Sequence, residues 1–209
     1  MGAVWLARQP VKARRPGHST SLCSPPGTRR AGAGAGIVTA MRDDDDDGRA
    51  WLEAQLRDLR VAYELFPCDP ALADTAAFCA AYGFAPEDSA NTIVVIGKSD
   101  PPRYAACVTL APYRLDVNRT VRDRLGTRKA SFAPAEATAA LTGMQIGGVT
   151  VFGLPAEVPI WVDARVMARE RIVLGGGSRS WKVIAAPAIL RALPGMEVVE
   201  GLAQDPPTP

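Results

Sequence analysis

The residues best placed for chemistry in this chain are glycines. Leu141 to Pro155 reads L-T-G-M-Q-I-G-G-V-T-V-F-G-L-P. The pair Gly147 and Gly148 permits backbone conformations and close ligand approach that a Cβ would block. A second glycine run, Gly175 to Gly177 in L-G-G-G-S-R, follows the V-D-A step at Asp163. Such segments predict a binding wall built from backbone amides, able to hold an anion. Each also has a plain structural reading. The glycine run is a turn between strands, and Asp163 is either a site carboxylate or the N-cap of a short helix over 164–168.

Histidine is nearly absent. His18 is the only one, so a Ser-His or Cys-His nucleophile pair and a histidine-containing zinc site are excluded from the rest of the chain. Cys23, Cys68, Cys79 and Cys107 fall in no paired metal spacing and read as reduced thiols of a cytoplasmic protein. No metal is expected. No cofactor is expected either, since no G-x-G-x-x-G follows a strand. Chemistry must then come from backbone amides, hydroxyls, carboxamides, carboxylates, lysine or the substrate itself.

The 209 residues, 47% of them hydrophobic, support one domain with a sizeable core plus a tail. Residues 1–48 mix Pro, Gly, Ser and Arg without periodicity and end in the acid run Asp43 to Asp47. This is the composition of a disordered tail, which cannot bury enough apolar surface to offset its ordering entropy. The domain is expected over 49–203, with a C-terminal tail at 204–209. The tail has no apolar h-region for a secretory signal; an organellar leader, or a true start at Met41, is the alternative. No apolar run approaches the length of a membrane span, so no membrane partner is expected.

Of 24 Lys+Arg and 22 Asp+Glu, the first 48 residues hold 7 and 5, which leaves 17 of each and a formally neutral domain. Any polyanion must be held by a local patch. The candidate is Arg114, Arg119, Arg122, Arg124, Arg128 and Lys129, a phosphate-contacting strip or a solvated helix face.

The elements that must position these groups follow from periodicity. Leu52, Leu56 and Leu59 predict a helix over Arg49 to Arg60, followed by the strand V-A-Y-E-L-F. Pro70 to Tyr82 predicts a helix closed by Gly83. Thr92 to Ile96 and Tyr104 to Leu110, separated by G-K-S-D-P-P, predict a hairpin. Helices are expected over Leu115 to Leu125, stopped by Gly126, over Pro134 to Leu141, and over Pro187 to Leu193. Strands are expected at Val158 to Val162, Arg171 to Leu174 and Trp181 to Ala185. The fold class is α/β, a single domain with a mixed β-sheet flanked by helices.

Five segments in this order, S-A-N-T-I-V-V-I-G-K (Ser89 to Lys98), L-D-V-N-R-T-V-R-D-R-L-G-T-R-K (Leu115 to Lys129), T-G-M-Q-I-G-G-V-T-V-F-G-L (Thr142 to Leu154), I-W-V-D-A (Ile160 to Ala164) and G-G-G-S-R (Gly175 to Arg179), resemble the YbaK/EbsC family of aminoacyl-tRNA editing domains. The resemblance implies a mixed sheet with flanking helices and hydrolysis of the ester between a wrong amino acid and the 3′ acceptor end of a tRNA, without metal or histidine. It implies that Gly147 and Gly148 hold the ester carbonyl, with Thr150 beside them, and that Asn91 stands where the family carries its site lysine. Thr92, Gly143, Asp163, Gly175, Gly176 and Gly177 are the matching substrate-binding candidates, and Arg114, Arg119, Arg122, Arg128 and Lys129 the RNA-binding ones. Asn91 supplies a dipole where lysine would supply a charge, and as a strand or turn cap it would need no functional role. Lys98 is the alternative source of that charge, although an exposed turn lysine is its default reading. The expected function is a trans-acting aminoacyl-tRNA deacylase; the alternative is a non-catalytic tRNA-binding or aminoacyl-binding module of the same fold. DNA is not an expected partner.

Overall fold

Three strands form one sheet and five another, and the candidate site lies where the two meet. In a computed structural model that describes residues 45–206, the chain opens with helix α1 (Asp45–Leu56). It begins four residues earlier than the periodicity predicts, inside the acid run. It ends earlier too, at Leu56, and Arg60 takes φ 52, outside helical space. Leu52 and Leu56 are fully buried on one face. The tail over 1–44 and residues 207–209 lie outside the described residues.

Strand β1 (Tyr63–Pro67) pairs antiparallel with β8 (Trp181–Ala185), which pairs antiparallel with β7 (Ile172–Gly175). The helix expected over Pro70 to Tyr82 divides in two. Asp69 caps a 3-10 turn at Pro70–Leu72 by accepting from Ala71 N at 2.9 Å, and after Asp74 a new helix, α2 (Thr75–Tyr82), begins. Gly83 ends it at φ 74, as its position predicts.

The larger sheet has the order β5-β2-β3-β6-β9. Its centre is the expected hairpin of β2 (Ala90–Gly97) and β3 (Arg103–Leu110), in register from Ala90↔Leu110 to Gly97↔Arg103. Strand β6 (Ile160–Asp163) runs parallel to β3, and β9 (Met196–Val199) parallel to β6, so the sheet is mixed. Alternation along β3 separates two cores. Ala106 and Val108 join α1, β7 and β8 in the main core, while Ala105 and Cys107 face Val117, Val121 and Leu125.

The single helix expected over Leu115 to Leu125 is three pieces. Leu115 belongs to β4 (Arg114–Leu115), which pairs with β10 (Ala203–Gln204). Asp116 caps a π-helical turn, Val117–Val121, which continues as helix α3 (Arg122–Leu125) and stops at Gly126, φ 63. Helix α4 (Ala135–Thr142) follows β5 (Ala130–Phe132), and the short helices α5 (Ala164–Met167) and α6 (Ala188–Arg191) complete the set.

One detail of β2 matters for the site. Strand β5 pairs only with Val95, Ile96 and Gly97. At the other end Ser89 bridges Val173, while the Ser89 carbonyl accepts from Ala111 on the β3 side. Between these two attachments, apart from Ala133 N donating to Val94 O at 2.9 Å, the edge of β2 has no strand partner among the described residues.

Candidate functional site

A cavity of about 340 Å³ fills that interval. It is walled by Ala90 to Val94 of β2, by Ala73 to Phe78 at the head of α2, by the end of β7 and by the glycine segment at Gly147. Phe132 and Ile146, 58% and 52% exposed, stand on its lining as two of the few large apolar side chains turned to solvent.

The glycine segment is braced by two cations. Arg179 Nη1 donates to Ile146 O at 2.9 Å, and Lys182 Nζ donates to Gly147 O at 3.0 Å. In a trans peptide unit the N–H points opposite the C=O. Fixing the Ile146 carbonyl on Arg179 therefore turns the Gly147 N–H away from that guanidinium. Gly147 sits at φ 90, and a Cβ there would meet Arg179 Nη1 at 2.2 Å. Arg179 also donates to Pro70 O at 2.9 Å and pairs with Asp74 at 3.5 Å, tying the glycine segment to the head of α2.

Lys182 was not anticipated from the sequence. It sits in the middle strand of the three-stranded sheet, opposite Gly175 and Phe66, and is only 6% exposed. Its ammonium donates to Ala73 O at 2.7 Å as well as to Gly147 O and lies over the Phe78 ring, 5.4 Å from its centroid. Burial pulls its pKa below the ordinary lysine value and Arg179 adds to this, while Cys68, Asp74 and Cys79 act in the opposite direction. Burial pushes the Cys68 thiol up, against the pull of Lys182. The visible hint was a lysine inside the apolar run W-K-V-I-A, since lysine is almost never fully buried without a reason.

Of the residues singled out by sequence, Asn91, Thr92, Gly147 and Gly175 line the cavity. Asn91 Oδ1 accepts from Thr75 Oγ1 at 2.7 Å. This pair also borders a second cavity of about 430 Å³ lined by Pro86, Glu87, Ala111 and Pro112. Thr92 Oγ1 is buried without a hydrogen-bond partner among the described residues.

The other candidates have structural duties. The Gly148 N–H closes a turn onto Gln145 O at 3.0 Å and its carbonyl accepts from Gly177 N at 2.8 Å. A Cβ on Gly148 would meet the Ser178 backbone at 2.5 Å, so the two glycine runs pack main chain to main chain. Gly176 and Gly177 face Trp181 and Trp51. Thr150 is fully buried with its hydroxyl unpartnered, away from the cavity lining. Gly143 is the left-handed cap of α4, φ 68. Asp163 is the N-cap: its Oδ1 accepts from Arg165 N at 3.0 Å and its Oδ2 from Ala203 N at 2.8 Å. Lys98 is exposed at the far end of β2, about 23 Å from Asn91 at the rise of an extended strand.

The basic strip is partly neutralised. Arg122 pairs with Asp123 at 2.6 Å, and Arg124 pairs with Glu197 and lies over the Trp161 ring. Arg114, Arg119, Arg128 and Lys129 are exposed. Among the described residues no cluster of His, Cys, Asp and Glu could hold a metal ion, and no helix is long and apolar enough to cross a membrane.

A family model for the aminoacyl-tRNA editing domain matches residues 69–193, which spans every wall of this cavity. Three solved structures share the fold. A crystal structure of a candidate trans-editing enzyme for prolyl tRNA synthetase is 19% identical with a TM-score of 0.65, covering 76% of this chain and 98% of that one. Hypothetical protein APE2540 is 20% identical, TM-score 0.61, covering 72% and 95%. A structure from the grafting of linear epitopes onto scaffold proteins is 18% identical, TM-score 0.64, covering 76% and 98%. These likenesses establish the mixed α/β editing-domain fold.

Proposed function

This chain belongs to the aminoacyl-tRNA editing domain family, and from that premise we propose that it hydrolyses the ester joining a non-cognate amino acid to the terminal ribose of a tRNA. One observation carries the reading. The cavity wall at Gly147 is a backbone turn whose Ile146 carbonyl is held by Arg179 and whose Gly147 carbonyl is held by Lys182. This leaves the Gly147 amide free to face a developing oxyanion, and fixed donors of this kind are worth most in a secluded site.

Water adds to the ester carbon and the carbonyl electron pair moves onto oxygen. When the tetrahedral intermediate collapses, the bond to the ribose oxygen breaks and that oxygen takes the proton water has given up. In this reading the terminal ribose hydroxyl of the substrate itself orients the water, as the family resemblance implies.

The acceptor end approaches along β5. This short edge strand begins beside the exposed Arg128 and Lys129 and ends at the exposed Phe132 on the cavity. Surface cations take phosphates, and an exposed aromatic ring stacks an unpaired base. The test is a deacylation screen of the full-length protein against a panel of mischarged tRNAs. Release of one class of amino acid is the expected result. Binding at low salt without hydrolysis would make the protein a non-catalytic module, and absence of both would overturn the tRNA reading in favour of a small aminoacyl ester.

A further inference from the structure

Lys182 is the unexplained charge of this molecule. Its side chain is over nine-tenths buried and reaches no carboxylate within salt-bridge distance among the described residues. Its two hydrogen bonds go to neutral carbonyls, Ala73 O and Gly147 O. An ammonium carries three protons, and the cavity it lines is where the third can be used. A buried cation without a counter-charge is costly unless something anionic arrives to meet it. The carbonyl oxygens aimed at Nζ favour the charged form, and the Asp74 carboxylate nearby does the same.

We propose that Lys182 is a catalytic residue of this site: its ammonium, together with the Gly147 amide, receives the negative charge that forms on the ester oxygen when water adds. The inference rests on the deacylase reading and names the cation that Asn91 cannot provide. A phosphate of the acceptor end is the other anion such a group could take. The depth of Lys182 argues against it, because acceptor-end phosphates are met by exposed cations such as Arg128 and Lys129, whereas Lys182 is only 6% exposed. When the intermediate collapses the electron pair returns to carbon, the ribose oxygen leaves with its proton, and Lys182 is unchanged.

Four charged or titratable groups surround Nζ: Cys68 before α2, Asp74 at its head, Cys79 within it, and Arg179 beside β8. Their net effect with burial is a lowered pKa, so an ammonium acting on an oxyanion requires deacylation to fall as pH rises into the alkaline range. A neutral amine acting as a base would require it to rise.

The experiment uses the full chain and the tRNA it deacylates fastest, alongside the matching aminoacyl-adenosine, which has no phosphate. Lys182→Met is expected to lower kcat by at least about a hundredfold on both substrates with KM within about threefold, while Lys182→Arg retains part of the rate. In Lys182→Ala, added ethylammonium is expected to restore activity, which a merely structural role would not allow. Where Lys182→Met does not fold, the wild-type pH profile decides. A loss confined to the phosphate-bearing substrate, a rate that rises with pH, or wild-type kinetics in folded Lys182→Met would each overturn the proposal while leaving the deacylase reading intact. A wild-type protein inactive on every substrate would overturn both.

Discussion

Replacing Gly147 by alanine perturbs the site at one atom, and its cost can be worked out from the surroundings. At φ 90 an alanine is strained by about 1–3 kcal/mol. The new Cβ would lie 2.2 Å from Arg179 Nη1, so the guanidinium must withdraw and release Ile146 O. A hydrogen bond from a charged donor is worth about 1.5–3 kcal/mol. The Arg179–Asp74 pair, long and partly exposed, adds little. The sum is about 2.5–6 kcal/mol. For a domain of this size each kcal/mol lowers Tm by about 2–4 °C, so thermal unfolding should shift down by roughly 5–24 °C. Deacylation should fall more than about a hundredfold, because about 3 kcal/mol of donor misplacement is two decades of rate. Arg179→Ala separates the two parts: in that background Gly147→Ala pays only the backbone strain, and the double-mutant coupling should be about 1.5–3 kcal/mol. A Gly147→Ala protein with unchanged melting and unchanged kcat/KM would refute the reasoning.

Four further outcomes are expected. Between the lowered pKa of Lys182 and the ordinary lysine value near about 10.4, the unfolded chain holds a proton that the folded chain has released, so Lys182 makes stability rise with pH there; denaturant unfolding should show wild type gaining on Lys182→Met across that window. Cys107, pushed up to about 12 by burial, works oppositely: stability falls from the ordinary thiol range up to about 12, and Cys107→Ala should flatten that fall in the same assay. Phe132→Ala should raise KM for mischarged tRNA by about fivefold to a hundredfold, as loss of one stacked base implies, with melting unchanged. Arg128 and Lys129 replaced together by Ala should reduce the slope of log affinity against log salt by up to about 2, read by tRNA binding at several salt concentrations.

Elements with strong local punctuation were legible in the sequence. The β2–β3 hairpin, the Gly83 and Gly126 stops and the strand at Trp181 follow from β-branched runs and left-handed glycines. Boundaries failed where the backbone resets locally. One expected helix breaks at Asp74, the residue before α2, and Asp116, accepting from Thr120 N, turns another into a strand, a π turn and a short helix. Strand β9 was missed because M-E-V-V owes its place to parallel pairing with β6, and β5 because three residues carry no period. At the site, Asn91, Thr92 and Gly147 were readable as motif, but Gly148 and Gly177 proved to be glycines for mutual packing. Lys182 was missed for a physical reason: nothing within the strand indicates that its far end meets Ala73 and Gly147, which are distant in sequence.

The attachments on the outer edge of β2 give the cavity an architectural origin. Strand β5 stops opposite Val95, the Ala133 N–H reaches Val94 O at 2.9 Å, and the next attachment is the Ser89 bridge, so the space is a missing length of strand. Four residues at about 3.3 Å each leave about 13 Å of open edge. Extending β5 by two residues would pair Ile93 and close the site as ordinary sheet, whereas trimming it would lengthen the opening by a defined step. The stopping point of one edge strand therefore sets how much of β2 is left open to a ligand.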